Sequence, residues 1–467
     1  MGNSEEQARP TSAPTSAPPP PEVIELGTPP SVRSGSSQRD PESSPLAWIC
    51  VAGSFLFLYP SYGFMQSVGT VQSYLQLNQL SDYTARDLGW ISGIFTSLGL
   101  LLGIQAGPLM DAYGTKLLAP ISAATLVPLF FLLGECTEYW HFILCLGVLG
   151  GISSALTSTV AMAVIGKLFS RRRGLAMGMA LSGSSFGGVT LSMMFRSLLP
   201  KLGWQWTMRA TGFLVLGIMV LGVICFLPFP TLTACSSSAP LGGKGATLNF
   251  SAFKSPPFDF MTMGLFLLEF VLFGITGLLP TFAIVAGFPS SIGFSLIAIL
   301  NGCSCLGRIL SGMAGDRLGH LNVLLFMILF TVSFTAIILV PFGTKHIGAL
   351  YAFSALWGIG SGSFLSITPV CIAKTCDPKD YGRYLGTLSP ESCQFWGYST
   401  NISTGTMNFV VSFSLLITVP IGGQMLESMG GTALSGFYVA VLFLGGVSYF
   451  AGRSLLVGGW FTFRTRI

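Results

Sequence analysis

The chain runs to 467 residues, of which 51% are hydrophobic and only 9% charged, with a net charge of +5 and a mean hydropathy of +0.69. Soluble globular domains carry about a quarter charged residues, so this composition excludes an ordinary soluble domain and points to a polytopic membrane protein. Ten cysteines are scattered through apolar stretches without a paired spacing, a pattern that implies neither a disulfide framework nor a metal site.

Residues 1–46 are rich in Pro, Ser, Glu and Arg and hold no apolar run before Leu46. Such a segment cannot bury enough surface to fold, and a disordered cytoplasmic tail is expected there. No early basic patch precedes an apolar core, so the first hydrophobic helix is expected to direct insertion itself. A helix needs about 20 apolar residues to cross the hydrocarbon core. Windows of that size occur near 47–70, 88–109, 116–135, 140–165, 174–196 and 207–229, then near 258–283, 291–312, 321–342, 346–371, 407–426 and 432–457. The expected fold is an all-α membrane protein of twelve transmembrane helices. A cytoplasmic linker at 231–257 divides them into two six-helix bundles, 47–230 and 258–457, and a short tail follows at 458–467.

Basic loops stay cytoplasmic. With the N-terminus inside, that side collects Arg171, Arg172, Arg173, Lys244, Lys254, Arg317, Lys374, Lys379 and Arg383, against Arg86, Lys201 and Lys345 in the loops opposite. Both termini are therefore expected in the cytoplasm, with the plasma membrane as the expected location. The arginine triplet is also a candidate contact for anionic lipid.

An internal repeat supports the six-and-six division. Residues 107–114 read GPLMDAYG and residues 312–319 read GMAGDRLG, each in the loop between the second and third helix of its half. Glycines permit a tight turn and close helix approach, and the acid suits a helix N-terminus. Gly107, Asp111, Gly114, Gly312, Asp316, Arg317 and Gly319 are thus candidates for conformational gating rather than for binding.

The twelve spans and paired turns resemble the major facilitator superfamily. More closely, the chain resembles the fungal branch of the monocarboxylate porter family, through SYGFMQSV at 61–68, LGWIS at 88–92, RRRGLAMGMALSGS at 171–184, GWQWTMR at 203–209 and the Gly307-Arg308 pair. The resemblance covers nearly everything after residue 46. It implies a secondary transporter working by rocking of two halves around a central site, with Arg308 meeting an anionic cargo oxygen.

A charge inside an apolar span marks a functional site by default, and a planar fork of donors suits a pair of anionic oxygens. The alternative for Arg308 is a structural arginine bonded to backbone carbonyls or snorkelling toward the nearby turn. Two positions depart from the animal members of the family: Gln66 stands where they carry a lysine, and Ser304 where they carry an aspartate. The proton-carrying pair of lactate symport is missing. Glu269, deep in the seventh helix, is the candidate for proton coupling, the alternative being an acid hydrogen-bonded between helices. Tyr62, Gln66, Asn301, Ser304 and Trp357 join Arg308 as candidates for the substrate pathway, while Arg196 and Arg209 are expected as interfacial anchors.

Residues 388–406 fit the family pattern poorly and are flanked by a repeated Gly-Thr, at 386–387 and 405–406. A short retained intron translated in frame is expected, the alternative being an interfacial loop anchored by Phe395, Trp396 and Tyr398. The chain has no GxxxxGK[ST] and three histidines, which speaks against an ATP-driven pump and an intramembrane enzyme. No catalytic residue, cofactor, metal or nucleic-acid partner is expected. The expected partners are a small-molecule cargo of anionic character, the lipid bilayer and protons. The expected function is export of a fungal secondary metabolite or organic anion. The alternatives are proton-coupled uptake of a monocarboxylate or riboflavin-like solute, and a non-transporting membrane sensor.

Overall fold

A computed structural model describes Gly2 and residues 44–169, 172–234, 256–373 and 390–457. Within them the side chains of 104–108, 111–112, 173, 233–234, 365, 369–370, 372–373, 390–406 and 457 lie outside the description. Most of the expected tails and the linker therefore fall outside the described residues, as do the side chains of Gly107 and Asp111.

Among the described residues, ten helical runs are long and apolar enough to cross a membrane. One of them, Gly174–Leu232, contains two spans, because the helix Arg173–Cys225 is broken by Gly203 at φ 72°. The helix Ala85–Leu101 continues past Gly103 to Gly114 and supplies one more span. Among the described residues the crossings are therefore twelve, in an all-α membrane protein. In order they are Pro45–Leu77, Ala85 to Gly114, Tyr113–Gly134, Tyr139–Leu168, the two parts of Arg173–Cys225, Pro256–Val285, Ser290–Leu318, His320–Phe342, Ile347–Ala373, Pro390–Met429 and Gly431–Val457. They are numbered first to twelfth below.

Most boundaries lie within a few residues of the apolar windows. The eleventh helix departs, beginning at Pro390 rather than near residue 407. The 390–406 backbone is thus helical and not the loop considered from sequence. Its polar, Ser- and Gly-containing composition carries no apolar signal, so a hydropathy window misses it.

The second and eighth helices end at the two repeated turns, where Gly114 has φ 67° and Gly319 φ 94°. Residues with a β-carbon reach such backbone only with strain. The sequence repeat is therefore a repeat of backbone geometry. The buried apolar residues fall into two clusters, one from Ala47 to Phe229 and one from Phe258 to Tyr449.

The halves are joined along matched helices. Gly183 of the fifth helix lies against the Phe55 carbonyl of the first, and Ser414 of the eleventh donates to the Phe266 carbonyl of the seventh at 2.7 Å. Phe55 and Phe266 lie equally far from Pro45 and Pro256, which open their helices, so Gly183 and Ser414 occupy corresponding places. Thirteen residues on from each, at 196 and 427, both helices reach across to the other half. Arg196 Nη1 donates to Ser295 Oγ in the eighth helix at 2.9 Å. Glu427 Oε1 accepts from the Ala85 N–H, at the start of the second helix, at 2.7 Å. Arg196 is thus an inter-half contact more than a lipid anchor. Arg209, the other expected anchor, pairs with Glu135 at 2.7 Å and lies over Trp206.

Gly114, at φ 67° and ψ 178°, occupies backbone that only glycine takes readily. Gly114→Ala is expected to cost about 1–3 kcal/mol and to lower the thermal unfolding midpoint of the detergent-solubilised protein. Gly302→Ala, where a β-carbon meets nothing closer than 3.8 Å, should leave that midpoint nearly unchanged.

Candidate functional site

The fifth helix carries glycines at 174, 178, 183, 187 and 188. They let it approach the first helix on one side and the eighth on the other. At Gly178 the approach is close: a β-carbon there would stand 3.0 Å from the Arg308 carbonyl oxygen. This proximity brings the Arg308 side chain, 1% exposed, directly onto the opposite half. Its Nη1 donates to the Leu181 carbonyl oxygen at 2.5 Å and also to Ser184 Oγ. Its Nε is buried without a hydrogen-bond partner.

Ser184 also receives Gln66 Nε2, at 3.4 Å. The first, fifth and eighth helices therefore meet in one polar network buried between the halves. Two residues singled out in the sequence, Gln66 and Arg308, belong to it. Ser184, its third member, gave no signal of its own, because a serine among closely spaced glycines reads as a small packing residue.

Glu269 is 6% exposed, and its Oε2 has no hydrogen-bond partner. That oxygen is not bonded between helices. The carboxylate lies within electrostatic range of Arg308, Tyr62 and Tyr449. Buried polar atoms almost always find partners. Among the described residues, an orphaned carboxylate oxygen and an orphaned guanidinium nitrogen in one buried region are therefore the strongest structural mark of a ligand or proton site.

Asn301 is fully buried, bonds the Ile297 carbonyl at 3.0 Å and keeps Oδ1 unpartnered. It presses on Gly188, where a β-carbon would come within 2.6 Å of its side chain. Ser304 and Trp357 stand apart from the network. Ser304 packs on Gly362 of the tenth helix, and Trp357 lies tilted against Phe353 with its Nε1 unpartnered. One contact escaped the sequence altogether: Tyr59 of the first helix hydrogen-bonds Thr190 of the fifth.

At the end of the bundle that carries the turns, Asp316 bonds His320 Nε2 at 3.2 Å. His320 opens the ninth helix, so the acid does lie at the next helix's start. It also lies against the start of the fifth helix in the other half, where a β-carbon on Gly174 would stand 2.6 Å from its Oδ1. Gly312 packs on the Gly174 carbonyl at the same place, while Arg317 is exposed.

The Major Facilitator Superfamily model matches residues 44–400. The chain is 31% identical over 432 residues to the Aspyridones efflux protein apdF of Emericella nidulans, covering 91% of this chain and 81% of that one. It is also 31% identical over 424 residues to the Agnestins efflux protein AgnL12 of Paecilomyces divaricatus, with 90% of each covered. To the Riboflavin transporter MCH5 of Saccharomyces cerevisiae it is 28% identical over 439 residues, covering 90% and 80%. Twelve crossings, two repeated glycine turns and a charged network buried between the halves thus meet an independent match over most of the sequence: the chain belongs to the Major Facilitator Superfamily.

Proposed function

We propose that the chain is a secondary transporter that exports an organic anion of the fungal secondary-metabolite kind, by alternating access of its two six-helix halves. The observation that carries this reading is the buried Arg308, bonded across the halves to Leu181 and Ser184 with its Nε left free, near the orphaned oxygen of Glu269. An uncompensated guanidinium edge inside a membrane protein favours an anionic oxygen. The two efflux proteins among the relatives support the outward direction. The cargo path runs past Arg308, Gln66, Tyr62 and Asn301, with Ser304 and Trp357 behind it in the C-terminal half.

A second reading, proton-coupled uptake of a monocarboxylate or riboflavin-like solute, draws on the riboflavin transporter among the relatives. In either direction Glu269 carries the proton. Both termini lie in the cytoplasm, the location is the plasma membrane, and the repeated turns form the inner gate. Asp316 holds that gate by placing its charge at the positive start of the fifth helix.

Vesicles prepared in both orientations from a transport-deficient yeast expressing the full chain, tested with a panel of organic acids and riboflavin, decide direction and cargo. Accumulation only in inside-out vesicles supports export. Accumulation only in right-side-out vesicles supports uptake, and none in either sinks the transporter reading. Arg308→Ala is expected to abolish the flux while insertion stays normal, and Arg308→Lys to restore little of it, because a point charge cannot replace a planar fork. Normal flux in the alanine variant would make the arginine purely structural.

Glu269→Gln keeps the shape and removes the titrating group. Its flux should no longer respond to an imposed pH gradient, and a retained response would assign the proton elsewhere. Asp316→Asn, in a chain whose only cysteine is Cys305, half-buried in the eighth helix three residues before Arg308, should speed maleimide labelling added from the turn end about two- to fivefold, the worth of a charge at a helix start. An unchanged rate would mean that the turn does not hold the halves.

A further inference from the structure

Ser184 lies in the fifth helix with no exposed surface. A hydroxyl has one proton to give and two lone pairs with which to receive, and here all three are engaged. Ser184 Oγ donates to the Leu181 carbonyl at 2.9 Å, accepts from Gln66 Nε2 of the first helix at 3.4 Å, and accepts from Arg308 Nη1 of the eighth. The Leu181 carbonyl receives Nη1 as well, at 2.5 Å.

One amino group of the guanidinium is thus fixed on the opposite half, while Nε stays buried and unbonded. A guanidinium is rigid and planar, so fixing Nη1 fixes where Nε points. Closeness makes this possible, since at Gly178 the backbone of the eighth helix comes within contact of the fifth. A short hydroxyl side chain then spans the remaining gap.

We infer that Ser184 is a positioning residue. It holds the Arg308 guanidinium with its Nε edge turned to receive an anionic oxygen of the cargo, and ties Gln66 into the same arrangement. The inference rests on the anion-binding role proposed for Arg308. Because Ser184 and Arg308 belong to different halves, the seat exists only while the halves are together in this region. Parting them releases the guanidinium, so anion affinity changes with the conformation of the carrier. That is what a carrier needs in order to let its cargo go.

The test uses the full-length protein in native membranes and phenylglyoxal, an arginine reagent, with modification of Arg308 followed by mass spectrometry. Ser184→Ala is expected to speed that modification about tenfold, equivalent to about 1.4 kcal/mol, whereas Ser184→Thr, which keeps the hydroxyl, stays near the parent rate. Arg453 serves as the control: it is 1% exposed and bonds Asn322 at 2.9 Å, far along the chain from this network. Its rate should not move.

An unchanged Arg308 rate in Ser184→Ala overturns the inference. So does an equal rise at Arg453, which would signal general loosening. If Ser184→Ala frees Arg308 while Arg308→Ala still transports the organic acids of the panel, the hydrogen-bond assignment survives but its service to cargo is overturned. If Arg308→Ala abolishes transport and Ser184→Ala changes neither the modification rate nor the apparent KM, the anion site stands and the positioning role falls.

Discussion

A guanidinium taken out of water must be compensated where it ends up, and in this chain the compensation for Arg308 is supplied by the other half of the molecule. Its two hydrogen bonds go to the fifth helix, to Leu181 and Ser184. An ion buried without partners costs several kcal/mol. The position of the eighth helix relative to the fifth is therefore tied to the solvation of one side chain. The glycines at 174 and 178 bring the helices close enough for that to happen, and the orphaned Nε leaves the compensation incomplete.

The same economy of parts appears at both ends of the bundle. At one end Asp316 lies at the start of the fifth helix. At the other Glu427 accepts the Ala85 N–H at the start of the second. Each acid belongs to one half and each helix start to the other, so both contacts oppose a carboxylate to the positive end of a helix dipole. Neither needs a matching lysine or arginine. A contact of this kind is modest in strength and forms and breaks without stranding a buried cation. That suits a joint that must open repeatedly.

The architecture was legible because hydrophobic length is a direct physical requirement of the bilayer: windows drawn at 47–70 or 321–342 become helices at Pro45–Leu77 and His320–Phe342. The repeated turns were legible because positive φ leaves glycine at Gly114 and Gly319. What escaped has equally physical causes. The start of the eleventh helix at Pro390 lies in polar sequence without apolar periodicity. Ser184 is one small residue among several. Glu427 sits in the last turn of its helix, where the dipole disfavours an acid, but that signal does not name the helix start it meets. The cross-half position of Asp316 depends on which helices become neighbours. A repeat fixes spacing along the chain but not proximity across it.

Arg196 and Glu427 occupy corresponding places in the two halves, yet they carry opposite charge and reach for different groups, a hydroxyl in one case and a backbone N–H in the other. The two halves thus share these positions and differ in their closing contacts. Two copies of the N-terminal half, brought together through the same surface, would set the Arg196 guanidinium against the N–H groups at the start of the second helix, donor against donor. The pairing of unlike halves is thereby favoured over the pairing of two N-terminal halves. Halves that repeat one plan of helices are thus kept distinct by the groups at their seam.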